Sequence, residues 1–155
     1  MARATVQYHR ALACAILTLA FVSPAEAQTP KPVSEVIVAP FIVETDNADA
    51  LRTQAASCSG ELVTALALKG VAVAREPELS EKNLQSAAAS WAVLGRITHE
   101  KEQFQLELRL LDVTSGEELR SYFNSDKDLK VACQAVSKVA ERIAAFVAEQ
   151  RPKQR

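Results

Sequence analysis

Glycine and histidine are scarce in this chain. With four glycines in 155 residues, no glycine-rich loop can cradle a phosphate. Of the two histidines only His99 lies beyond residue 27, so no histidine pair stands at metal-ligand spacing. Cys14, Cys58 and Cys133 are too widely separated to suggest a thiolate cluster. Neither sign of charge dominates: 18 basic side chains face 19 acidic ones, a formal net of −1. A nucleic-acid interface would require a basic face, and the composition offers none. After the apolar run near the N-terminus no second one occurs, so no transmembrane segment is expected in the rest of the chain.

The N-terminal run reads as a cleavable secretory signal. Arg3 and Arg10 supply a positive start, Ala11 to Val22 an apolar stretch too short to span a bilayer, and Ser23-Pro24 a helix breaker. Ala25-Glu26-Ala27 has the small-x-small pattern of a cleavage site, which predicts a mature chain from Gln28 and a periplasmic location. Cys14 does not suit lipidation, because the apolar stretch runs on past it and Ala11 stands where a leucine is usual. Removing residues 1–27 takes away two basic side chains and one acidic, leaving sixteen against eighteen, about −2. Residues 28–34 carry two prolines and read as a flexible lead, residues 35–150 as one α/β domain, and residues 151–155 as a basic, solvated tail.

Within the domain, Glu35 to Val43 is nearly continuous in apolar, branched residues, as in a parallel strand buried on both faces. Pro40 lacks an N–H and marks an end of pairing or a bulge. Asp46-Asn47 offers a cap to a helix whose Leu51, Ala55, Cys58, Leu62 and Leu66 share one face, closed by Lys69-Gly70. Val71–Ala74 is a short strand, and Ser80-Glu81 opens a weak helix through Leu84. Trp91–Thr98 is a third strand. In the fourth, Phe104, Leu106, Leu108 and Leu110 alternate with polar residues. Asp112–Gly116 is a turn and Leu119–Phe123 a fifth strand. Ser125-x-x-Asp128 has the spacing of a capping box before a last helix carrying Leu129, Cys133, Val136, Ile143 and Val147.

Four of these segments, in this order, resemble the TolB N-terminal-like domain family. They are Val36-Ile37-Val38-Ala39-Pro40-Phe41, Glu61–Leu66, Trp91–Ile97 and, most specifically, Leu110-Leu111-Asp112-Val113-Thr114-Ser115-Gly116-Glu117-Glu118-Leu119. The resemblance spans roughly residues 35–149 and lacks the propeller that follows in TolB. It implies a three-layer α/β sandwich like the anticodon-binding domain, with a five-stranded mixed sheet in the order 2-1-3-4-5 and three main helices. It also implies a binding or docking role without enzyme activity or cofactor.

The chemistry-bearing residues are scattered. His99 sits in the polar His99-Glu100-Lys101-Glu102 turn, Ser59 inside the first helix, and Asp112 where it caps a turn through its own side chain. No catalytic, cofactor-binding or metal-binding residues are therefore assigned. Strand parity sets Arg96, Arg109, Arg120 and Tyr122 opposite the apolar positions of their strands, on one candidate docking face; cross-strand pairing with Glu107 and Glu118 is the plainer account of the arginines. In the implied strand order the last helix can return beside the first, so Cys58 and Cys133 are the candidate pair for a disulfide in an oxidising compartment, with two buried free thiols as the alternative. The function expected is an exported, non-enzymatic binding or adaptor module of the bacterial cell envelope with an envelope protein as partner. The alternatives are an accessory regulator of peptidoglycan synthesis or envelope secretion and, from another class, a small periplasmic hydrolase.

Overall fold

The computed structural model describes residues 34–151. The expected signal and its cleavage site, all but the last residue of the lead, and residues 152–155 lie outside the described residues. The first apolar run forms two strands, β1 (Ser34–Val38) and β2 (Ile42–Glu44), interrupted around Pro40. Helix α1 (Ala48–Leu68) follows, then β3 (Val73–Arg75) and a 3₁₀ helix at Glu81–Ser86. Next come β4 (Ala89–Glu100), β5 (Gln103–Asp112) and β6 (Glu118–Asp126). Two helices, α2 (Leu129–Gln134) and α3 (Val136–Gln150), complete the domain.

The sheet order is β3-β1-β4-β5-β6, with β2 also on β4. Once β2 is counted as the continuation of the first strand beyond Pro40, this is the expected 2-1-3-4-5. β3, β1 and β4 run parallel, while β5 and β6 attach antiparallel through hairpins. Alternation along β1 feeds two cores. Val36 and Val38 join Leu62, Leu66, Leu106, Leu108, Leu110, Ile143 and Val147 under α1 and α3, while Ile37 and Ala39 join Leu79, Leu84, Ala92, Leu111 and Val113 under the 3₁₀ segment. The first strand is thus buried on both faces, as its unbroken apolar run requires. The second face carries only a small core, and among the described residues the 3₁₀ segment at Glu81–Ser86 is the helical element packed there.

Local chemistry accounts for the ends of the elements. α1 closes in a Schellman motif: Val71 N–H donates to Leu66 O (3.2 Å), Gly70 N–H donates to Ala67 O (3.0 Å), and Gly70 takes a φ of 75°. At the start of the 3₁₀ helix Asn83 Oδ1 accepts from Ser80 N–H (2.7 Å) and from the Ser80 hydroxyl (3.0 Å). In the last helical region Asp128 is itself the N-cap, its carboxylate accepting from Lys130 N–H at 2.8 Å. This corrects the expected Ser125 box, since Ser125 still lies within β6. The final helix is also two helices rather than one, divided at Ala135.

Arg151, at the start of the expected tail, is exposed but tied back to the domain. Its guanidinium donates to Glu35 Oε1 (2.6 Å), to Glu35 Oε2 (2.8 Å) and to the Gly70 carbonyl (2.9 Å), clasping the end of α3 to the start of β1. Glu35 also accepts from Ala72 N–H at 2.9 Å. The Arg151 hydrogen bonds, more than any other interaction, hold the Glu35 carboxyl below its ordinary range. A depressed carboxylate contributes stability above its unfolded pKa and loses it as pH falls through the folded value. Glu35→Gln should therefore destabilise the domain at pH 7, with the gap to the unsubstituted protein closing below about pH 4. Paired thermal melts across that range check this; a gap that does not change with pH contradicts it.

The β4–β5 hairpin turns on Lys101 and Glu102, both at positive φ (49° and 61°). Two left-handed residues make a type I′ turn, which favours Asn-Gly because each ordinary side chain there costs about 1 kcal/mol or more. Lys101→Asn with Glu102→Gly should raise stability by about 1–2 kcal/mol. The urea midpoint reports it, and an unchanged midpoint would refute the assignment of strain.

Candidate functional site

The sheet face away from α1 and α3 presents ordered rows of side chains. In one row Ile42, Arg96, Glu107 and Phe123 stand in register across β2, β4, β5 and β6. The next rows are Leu94, Arg109 and Ser121 on one side, and Glu44, Thr98, Gln105 and Ser125 on the other. Ile42 and Phe123, at the two ends of the first row, are 56% and 64% exposed. Arg96 Nε lies 3.7 Å from Glu44, and Arg109 pairs with Glu81 of the 3₁₀ helix and lies 3.9 Å from Glu118. Exposed pairs of this kind contribute little to stability, commonly under about 1 kcal/mol. A cleft of about 410 Å³ opens between Pro40, Leu79, Lys82, Leu94, Arg96 and Arg109. It lies past the carboxyl end of β1, where crossovers on opposite faces diverge, a usual place for a ligand in an open α/β sheet.

Arg120 and Tyr122 are not on this face, which corrects the expected four-residue surface. A bulge at Leu110/Leu111 shifts the register, placing Arg120 opposite Leu110 and Tyr122 opposite Leu108, on the helix side. Arg120 lies over the Phe146 ring of α3, 5.6 Å from its centroid. Burial pushes the Tyr122 phenol upward, while Arg120 and Arg142 pull the other way. β6 gives no clear alternation to read: Tyr122 and Phe123 are adjacent aromatics of opposite parity, and polar residues lie on both faces. Of the four candidate residues, only Arg96 and Arg109 lie on the face away from the helices. Sequence reasoning missed Ile42, whose outward position follows from the resumption of pairing after Pro40, and it assigned Phe123 to the interior.

The catalytic candidates are not brought together. Asp112 Oδ1 accepts from Thr114 N–H (2.9 Å) and Ser115 N–H (2.8 Å), which is the turn-capping role expected of it. His99 is exposed in β4 near the hairpin tip and stacks on Phe104, with ring centroids 4.4 Å apart. Asp112 pairs with Trp91 and His99 with Phe104, eight residues apart along β4, roughly 26 Å. Ser59 is fully buried, its hydroxyl donating to Ala56 O (3.0 Å) and accepting from Arg75 (2.9 Å). Among the described residues no three His, Cys, Asp or Glu side chains gather as metal ligands, and no helix is long and apolar enough to cross a membrane. The structure sets Cys58 of α1 and Cys133 of α2 in disulfide geometry, with Cα atoms 5.6 Å apart.

No protein-family model matches the chain, and no curated protein sequence matches it either. Solved structures do match. A PelC dodecamer from Paraburkholderia phytofirmans is 20% identical with a TM-score of 0.52, over 68% of this chain and 84% of that one. TolB from Acinetobacter baumannii is 18% identical with a TM-score of 0.47, over 77% of this chain and 30% of that one. The LpoB C-terminal domain from Escherichia coli is 13% identical with a TM-score of 0.40, over 61% of this chain and 84% of that one. At these identities the likeness is one of fold: this chain is a mixed α/β domain with the fold of PelC.

Proposed function

We propose that this chain is an exported, non-enzymatic binding or adaptor module of the bacterial cell envelope, and that a partner protein docks on the uncovered sheet face around Arg96 and Arg109. The observation that carries the reading is the row Ile42–Arg96–Glu107–Phe123, in which exposed apolar groups flank charged ones on a face with little helix cover. Apolar anchors beside arginine are the residues that dominate protein interfaces. The sequence resemblance to the TolB N-terminal-like family supports a docking role, and the scattering of His99, Ser59 and Asp112 weighs against a hydrolase.

The test uses residues 28–155, immobilised and exposed to envelope extract. A retained partner should be lost at least tenfold when Arg96→Glu is combined with Phe123→Ser. Both positions are exposed, so the melting temperature should barely move. Unchanged retention of the partner by this variant would rule the face out.

A further inference from the structure

We infer that the free edge of β6 is a second docking site, which accepts an extended acidic segment of a partner protein as an added strand. This inference does not rest on the face proposed above, because it concerns the opposite side of β6 and its outer edge.

Among the described residues β6 has a neighbour on one side only, β5, so alternate N–H and C=O groups along its nine residues point outward. Folded proteins usually blunt such an edge with proline, lysine, a bulge or a very short strand. Glu118–Asp126 contains neither proline nor lysine, and its bulge lies at the start, opposite Leu110/Leu111, leaving Arg120–Asp126 in regular register. On the helix side a groove of about 270 Å³ adjoins the strand. Leu106 and Leu108, 2% and 1% exposed, floor it, and Tyr122, Lys138, Val139 and Arg142 wall it. An added strand would direct every second side chain toward this groove.

The charges select the occupant. No carboxylate lines the groove, and neither Lys138 nor Arg142 has an ion-pair partner among the described residues. Arg120 is nearby, donating to Leu119 O rather than to an acid. The chain's own ends are poor candidates: residues 28–33 carry Pro30, Lys31 and Pro32, and residues 152–155 carry Pro152, Lys153 and Arg155. Proline lacks the N–H an added strand needs, and the charges are of the same sign as the groove. A second copy pairing β6 to β6 about a two-fold axis normal to the sheet brings another Lys138 and Arg142 toward the first pair, which is repulsive. An acidic segment with apolar residues at alternate positions meets both demands.

Isotope-labelled 28–155 titrated with a blocked octapeptide of alternating valine and glutamate tests this. A dissociation constant of about 1 mM or tighter is expected for so simple a probe. Shift changes and new amide protection should concentrate in Arg120–Asp126. The valine–lysine counterpart should bind at least tenfold more weakly, as should the acidic peptide to Lys138→Glu/Arg142→Glu, whose substitutions are exposed and should leave the fold intact. Equal binding of the two peptides, or protection centred elsewhere, overturns the inference. So does edge protection already present without peptide: if it depends on concentration a second copy is the occupant, and if not the chain's own termini are.

Discussion

Replacing both Cys58 and Cys133 by alanine is expected to lower stability by about 4 kcal/mol. The pair closes a loop of 75 positions, and constraining that much unfolded chain carries most of the effect. The Cα separation of 5.6 Å lies inside the range that a bridge spans without moving backbone. Both residues are buried, 1% and 4% exposed, and belong to the main core. Alanine avoids burying the unpaired hydroxyl that serine would bring. The bridge also secures α2, a helix of six residues too short to persist unaided, whose Leu129 and Ala132 pack inward. Urea unfolding with and without reductant is the measurement. The unsubstituted protein should lose most of the 4 kcal/mol on reduction, and the double alanine variant should not respond. Equal midpoints under both conditions, or two alkylated thiols in unreduced protein, would sink the proposal. Against a total of about 5–15 kcal/mol for a domain of this size, the expected loss is large enough to unfold part of the population at physiological temperature.

Gly95→Ala should destabilise the domain by about 2–3 kcal/mol through overpacking. A Cβ at this position overlaps the ring of Phe41, which lies against the β4 backbone on the α1 side. That ring follows Pro40 in the break between β1 and β2, so it is held from both sides and cannot easily retreat. Phe41→Ala alone should cost about 3–5 kcal/mol by opening a cavity. Because the two groups compete for the same space, the double variant should be clearly less unstable than the sum of the singles, with a coupling of at least 1 kcal/mol. Additive losses would mean that the clash is relieved elsewhere. A neutral Gly95→Ala would contradict the overpacking.

Much of the architecture was legible because its signals are strong and local. Val36 to Phe41 is a run that only a doubly buried strand accommodates, and Pro40 marks where pairing stops. Ala55, Cys58, Leu62 and Leu66 are buried on one face of α1, as their spacing required. In β5, Leu106, Leu108 and Leu110 are buried while Glu107 and Arg109 face the other way, as alternation demands. The proposed docking surface was half legible. Arg96 and Arg109 lie in strands with a clear period of two, whereas Arg120 and Tyr122 lie in an edge strand with polar residues on both faces, and there a one-residue bulge reverses every assignment.

Sequence by itself thus determined what depends on neighbours a few positions away: the periodicity of α1 and β5, the Schellman end at Gly70, the Asp112 turn, and the lack of any local catalytic or metal motif. Tertiary structure decided what depends on residues far along the chain. It placed Arg151 on Glu35, separated by 116 positions, and laid the Phe41 ring over Gly95. It divided the last helix at Ala135 and turned Phe123 outward. These outcomes follow from packing and register. Both are set by the sum of many contacts across the sheet, so a residue's own type and its near neighbours carry little information about them.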